Sequence, residues 1–227
     1  MNKDVTKPIL KIKNYYEKDY SKISNKKKSD FARIQNNLQG INISSDDLIL
    51  DIGCGRGDVC SYMSQKGAKV IGLDISLNSL LYSSQLKETV GFVQGNAEEL
   101  PFLSSCFDKV TFMGVLEHFI HPDKALDEAK RVLKPKKYIV VLVPNSKFFL
   151  FKYFGGTGQI YEKPCTLEEW GTLLENQGLN IQKIYRDIGP GAFRDNILRG
   201  IIRKMILLIT NLLPLKYTYQ FVFICYR

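Results

Sequence analysis

The residues best suited to chemistry in this 227-residue chain are two carboxylates flanking a glycine turn. Asp51-Ile52-Gly53-Cys54-Gly55-Arg56-Gly57-Asp58 follows the apolar run Leu48-Ile49-Leu50 and precedes Val59–Met63, which can begin a helix. Glycines tolerate positive φ, and without a Cβ the backbone can come close to a ligand. A dinucleotide fingerprint, G-x-G-x-x-G, would put its third glycine at position 58. Here position 58 is Asp and the third glycine is Gly57. Asp51, just ahead of the turn, would repel a pyrophosphate and favour a cationic group. Asp74 lies about twenty positions further on, where a carboxylate can accept hydrogen bonds from both hydroxyls of a ribose. Its other use is as N-cap of the following segment, a role open to Ser76 as well. For proton transfer the candidate is His118, because an unperturbed imidazole titrates near neutral pH. Glu117 can orient it or touch a sugar. Glu117-His118-x-x-His121 has no further sequence-linked ligand, so no metal is expected.

The elements that must position these groups alternate. Strands are expected at 48–52, 69–74, 90–94, 109–113, 137–143, 181–185 and 221–226, and helices at about 58–66, from Ser76, over Asp123–Leu133 and over Leu167–Gln177. Thr166 and Glu169 form a capping box and Gly178 ends that last helix. Strand, glycine turn and helix start make the crevice of a doubly wound sheet. Met113 and Gly114 fall at the carboxyl end of the fourth strand, beside it. Ahead of this core, Ile9, Ile12, Tyr15, Tyr16 and Tyr20, then Phe31, Ile34 and Leu38, recur at helical spacing on either side of the solvated Ser24–Ser29 run. Residues 1–45 are therefore expected as a helical cap or lid and 46–227 as the catalytic domain. Tyr15 and Tyr16 are within reach of a ligand under such a lid.

The D-x-G-x-G-x-G turn resembles motif I of the class I S-adenosylmethionine (SAM)-dependent methyltransferases. Further matches are Asp74-Ile75, Gly95-Asn96-Ala97-Glu98-Glu99-Leu100-Pro101-Phe102, Phe107-Asp108-Lys109-Val110, Leu116-Glu117-His118 and Arg131–Pro135. Together they are similar to the type 11 branch that includes the ubiquinone- and menaquinone-pathway methyltransferases, and they run from residue 48 to about 145. The resemblance implies a Rossmann-like, seven-stranded sheet, mostly parallel with an antiparallel last strand and helices on both faces. It implies SAM as cofactor, held by Asp51, Gly53, Cys54, Gly55, Gly57, Asp74, Ile75, Asn96, Ala97, Met113 and Glu117. Asp74 would hold the ribose, Ile75 would pack on the adenine, and Asn96 and Ala97 would address its amine edge. Asn96 stands where the family has Asp; its amide oxygen can still accept, without charge assistance. Lys136-Lys137 replaces the usual Gly-Gly turn.

Composition narrows the acceptor. The formal net charge is +9, concentrated at both ends, while residues 46–185 are nearly neutral. Five cysteines with no C-x-x-C pair read as reduced thiols of a cytoplasmic protein. Met113-Gly114-Val115-Leu116 is unlike the segment that holds a flipped base in amino-methylating nucleic-acid enzymes, so nucleic acid is not the expected partner. Phe148–Gly158 is aromatic, then glycine-rich, and would either line an apolar pocket or bury against the sheet. Within an insertion at about 189–215, Phe193, Ile197, Ile201, Met205, Leu208 and Leu212 share one helical face, with Arg194, Arg199, Arg203 and Lys204 elsewhere. Such a helix suits an anionic membrane surface, and equally a packed core or a dimer contact. The expected activity is methyl transfer to a small-molecule acceptor, apolar or lipid-linked. The alternatives are a methyltransferase of a sugar or natural-product intermediate, and a SAM-binding partner protein without catalysis.

Overall fold

A computed structural model describes residues 3–20, 30–83, 90–148, 161–189, 208 and 212–227. Seven strands form one sheet: β1 (Leu48–Ile52), β2 (Lys69–Asp74), β3 (Val90–Gln94), β4 (Phe107–Met113), β5 (Leu133–Pro144), β6 (Asn180–Arg186) and β7 (Gln220–Tyr226). The helices are α1 (Lys3–Tyr20), α2 (Phe31–Leu38), α3 (Asp58–Gln65), α4 (Leu77–Ser83), α5 (Pro122–Val132) and α6 (Leu167–Asn176). The strand order is β3-β2-β1-β4-β5-β7-β6. β1 pairs in parallel with β2 on one side and β4 on the other, while β7 runs antiparallel between β5 and β6. The chain winds outward from β1 in one direction, then crosses back to β4, so the β1–β4 seam is the switch point where such sheets open a crevice.

Side-chain alternation along the strands divides the core between two faces. Leu50 and Ile52 of β1 join Phe112, α5 through Ala125, Leu126 and Ala129, and α6 through Trp170 and Leu174. Ile49 turns the other way, toward Cys60 and Met63 of α3 and Ile34 and Leu38 of α2. Trp170 donates its indole N–H to the Pro144 carbonyl at 2.9 Å, pinning α6 to the carboxyl end of β5. The predicted capping box of α6 is present, with Thr166 Oγ1 and the Glu169 carboxylate each taking the other's backbone N–H.

Two strands start two or more residues ahead of their sequence pattern. β4 begins at Phe107, and β5 begins at Leu133, a position expected at the end of a helix. Leu133 pairs with Phe107 across a register shift, and Lys136 takes a φ of 59° before regular pairing resumes at Lys109–Tyr138. The helix therefore ends at Val132 because a long-range partner claims the next residue. The Ser24–Ser29 run, the aromatic and glycine-rich segment beyond Phe148, and nearly all of the basic amphipathic segment lie outside the described residues.

Candidate functional site

The turn after β1 is built on three left-handed glycines: Gly53 at φ 70°, Gly55 at 51° and Gly57 at 75°. Gly53 is glycine for a second reason: a Cβ there would lie 2.3 Å from Val115 Cγ2. The Gly53 and Cys54 N–H groups both donate to the Leu73 carbonyl, at 2.7 and 3.0 Å, so the turn is stitched to the end of β2. Gly57 donates back to the Cys54 carbonyl at 2.9 Å and starts α3.

That stitching puts Asp74 against the turn. Its Oδ2 accepts the Gly55 N–H at 2.8 Å and its Oδ1 the Ser76 N–H at 2.9 Å. A carboxylate offers about four lone-pair sites, so these bonds orient the group without exhausting it. Burial pushes its pKa up, the Ser76 and Gly55 donors work against that, and Glu17 adds a raising charge. Ser76 Oγ, rather than Asp74, accepts from Ser79 N–H at 3.2 Å, taking the capping role in α4.

A cavity of about 320 Å³ opens at this seam. Of the sequence-predicted residues, Gly53, Cys54, Gly55, Asp74, Ile75, Asn96, Ala97, Met113 and His118 line it together. Asp51, Gly57 and Glu117 are not among the lining residues. The lining also takes in Arg56, Asp58, Glu98, Phe119 and Ile120, and from α1 Ile9, Ile12 and Tyr16. Ile9, Ile12 and Tyr16 fall three and four positions apart, one face of a helix, the spacing that marked them in the sequence. The Asn96 amide oxygen also accepts the Glu98 N–H at 3.1 Å, closing a local turn.

Asp51 sits beneath the glycine turn. Thr111 Oγ1 donates to its Oδ1 at 2.6 Å and Cys60 Sγ to its Oδ2 at 3.4 Å. Burial pushes its pKa up to about 7, against the two donors and with a further rise from Asp74. The folded chain therefore binds a proton that the unfolded chain releases near pH 4, and this contribution to stability declines as pH rises from about 4 to about 7. Asp51→Asn keeps an acceptor for Thr111 and removes the titration. Relative to the variant, the wild type is expected to lose about 1–3 kcal/mol between pH 5 and pH 8 in urea unfolding. A wild-type–variant difference that does not change with pH would show Asp51 ionised throughout.

His118 ends a short 3-10 turn, Leu116–His118, after β4. It is 5% exposed, and the Tyr16 ring meets it edge-on with centroids 6.2 Å apart. Glu117 Oε1 lies 3.7 Å from His118 Nε2. Burial pushes the Glu117 carboxyl up to about 8, and its Oε2 has no hydrogen-bond partner among the described residues. His121 is the residue before α5, and its backbone N–H donates to Glu98 Oε1 at 3.2 Å. Among the described residues, no three His, Cys, Asp or Glu side chains converge as a metal site.

Residues 50–141 match the family described as "Methyltransferase domain". An uncharacterized protein of Methanocaldococcus jannaschii is 36% identical over 140 residues, covering 62% of this chain and 60% of that protein. A ubiquinone biosynthesis O-methyltransferase of Alkalilimnicola ehrlichii is 32% identical over 58% of this chain and 56% of its own length. A demethylmenaquinone methyltransferase of Renibacterium salmoninarum is 36% identical over 41% of this chain and 39% of its own. The match thus spans about three-fifths or less of these relatives' length. Among solved structures, a chain of a Haloferax volcanii complex containing the Trm112 methyltransferase activator superposes with a TM-score of 0.71 at 14% identity, covering 95% of this chain and 96% of that one. A SAM-dependent methyltransferase of Archaeoglobus fulgidus gives 0.63 at 20% identity, over 87% and 92%. These last two establish the fold.

Proposed function

We infer that this chain, which carries a methyltransferase domain over residues 50–141, transfers a methyl group from SAM to a small-molecule acceptor. The observation that carries the reading is the charge of the cavity. Among the described residues, Asp58, Asp74 and Glu98 line it against one permanent cation, Arg56. Such a wall disfavours a pyrophosphate and favours a ligand bearing a sulfonium and an ammonium.

The residues present fit that ligand. Asp74 retains lone pairs for both ribose hydroxyls, its direction fixed by Gly55 and Ser76. Ile75 and Ala97 give the adenine an apolar wall, and Asn96 a polar edge. The glycine turn lets backbone rather than side chains meet the methionyl part. Asp51 acts from outside the cavity lining, by accepting from Thr111 and Cys60, and Glu117 acts through the neighbouring His118. When bound, SAM supplies a methyl group already activated for in-line displacement, so the protein's work is placement and exclusion of water. Ile9, Ile12 and Tyr16 exclude water from the α1 side, which makes the N-terminal segment a lid. His118 takes the acceptor's hydroxyl proton on a ring nitrogen, with the Glu117 carboxyl 3.7 Å away to orient the ring.

For the acceptor, an apolar phenol is favoured by the ring and aliphatic wall of Tyr16, Phe119 and Ile120, and by the quinone-pathway names of two relatives. A lipid tail on that acceptor is the use we assign to the basic amphipathic segment, on the inner membrane face. No helix of the described residues is long and apolar enough to cross a membrane.

His118→Asn is expected to lower kcat for a phenolic acceptor about 100-fold, with affinity for S-adenosylhomocysteine changed less than twofold, measured by methyl-transfer assay and calorimetry. Unchanged kcat would show that proximity alone drives transfer. Binding without turnover on any phenol, sugar or natural-product pool would favour the non-catalytic alternative.

A further inference from the structure

We propose that Glu17 is the latch that holds α1 down over the cofactor cavity, and so a positioning residue that sets how fast a bound nucleoside leaves. The inference rests on the cofactor reading above.

Glu17 follows Tyr16, the last α1 residue lining the cavity. Its Oε1 accepts the Leu77 N–H at 2.7 Å, and its Oε2 accepts the Asn78 N–H at 2.9 Å and the Ser76 hydroxyl at 3.2 Å. Asn78 Nδ2 returns a bond to the Glu17 carbonyl at 2.9 Å. Four bonds therefore join α1 to a segment about sixty positions away, all at the junction of β2 and α4. The local acceptors there are already engaged: Asp74 takes the Ser76 N–H, and Ser76 Oγ takes the Ser79 N–H. The Leu77 and Asn78 N–H groups are the ones left over, and α1 supplies their acceptor.

Ser76 is the link to the site. It donates its hydroxyl to Glu17 and its backbone N–H to Asp74, whose other oxygen holds the glycine turn through Gly55. The lid, the ribose carboxylate and the turn thus form one hydrogen-bonded line. The Glu17 carboxyl reflects this: burial pushes its pKa up, but the Asn78 and Leu77 N–H donors, the Ser76 hydroxyl and nearby Lys13 outweigh that and lower it. α2 is tied elsewhere, with Arg33 Nε donating to both Asp187 oxygens at 3.0 Å. Lifting α1 therefore does not require α2 to leave the sheet. A nucleoside under Ile9, Ile12 and Tyr16 escapes when the Glu17 bonds break.

Two variants test this. Glu17→Gln offers one acceptor and one donor where two N–H groups wait, so one bond becomes a donor–donor clash. Asn78→Asp places a carboxylate beside Glu17 and removes the returning bond, while a first-turn Asp suits α4 itself. Loss of α4 stability and loss of the latch thus predict opposite signs for Asn78→Asp. Release of radiolabelled S-adenosylhomocysteine, chased with excess unlabelled ligand, is expected to quicken about tenfold in both variants, corresponding to one charge-assisted bond. KM for SAM should rise by a similar factor with kcat undiminished. Wild-type release rates in both variants would overturn the latch, as would a fall in kcat matching any loss of affinity. If the wild type binds no adenosyl ligand, the cofactor reading fails first and the latch with it.

Discussion

Asp74→Ala is expected to weaken S-adenosylhomocysteine binding at least about 100-fold by calorimetry, the largest loss from any one side chain of the site. The estimate follows from two ribose hydroxyls each giving up a bond to a charged acceptor, at about 1.5 kcal/mol apiece. A second effect acts in the same direction. Gly55 and Ser76 would lose their acceptor, and the turn its tie to β2 through that carboxylate. Asp74→Asn separates the two contributions. It keeps one acceptor oxygen, so it should hold the turn better than alanine yet still lose most of the affinity. An alanine variant that binds as tightly as wild type would remove Asp74 from the site.

Gly53→Ala should be nearly as damaging by a different route. The new Cβ would meet Val115 Cγ2 at 2.3 Å and Val115 Cβ at 2.8 Å, on a backbone at φ 70°. An L side chain in the left-handed region costs about 1–2 kcal/mol before any clash. The turn must shift, and with it the paired Gly53 and Cys54 bonds to the Leu73 carbonyl. The expected result is at least about tenfold weaker nucleoside binding and a lower unfolding midpoint. Adding Val115→Ala relieves the Cγ2 contact but neither the Cβ contact nor the φ strain, so it should recover only part of both. Full recovery would mean that the clash alone, not the turn's conformation, was responsible.

The sequence showed most where structure is local. β1, β2 and β3 coincide with apolar runs between turn signals; β1 and most of β2 are buried in the parallel sheet and need no polar face, whereas β3 is the edge strand and has no fully buried residue. The capping box of α6 is a three-residue spacing and was visible as one. β5 was read short, since the pairing that draws Leu133 into the sheet comes from Phe107, remote in the chain. The insertion of β7 between β5 and β6 likewise leaves no local trace.

The same divide runs through the site. Gly53, Cys54, Gly55, Asp74, Ile75, Asn96 and Ala97, which the resemblance assigned to one site, line a single cavity. Asp51 and Glu117 are not among the cavity's lining residues: Asp51 is engaged by Thr111 and Cys60, and Glu117 lies 3.7 Å from His118. Tyr16 was expected within reach of a ligand under a helical lid and does line the cavity, while Ile9 and Ile12 were legible only as part of the same helical face. Glu17 carried no signal at all. Its partners are Ser76, Leu77 and Asn78, and nothing in a lysine-rich helix distinguishes a carboxylate that caps a distant turn from one in solvent.

The claim on which the rest depends is that an adenosyl sulfonium compound, not a pyrophosphate-bearing dinucleotide, enters at the β1–β4 seam. Parallel calorimetric titrations of the wild-type chain with S-adenosylhomocysteine and with NAD test it most directly. The account predicts saturable one-to-one binding of the first and no heat from the second. Saturable binding of NAD with none of S-adenosylhomocysteine would contradict it.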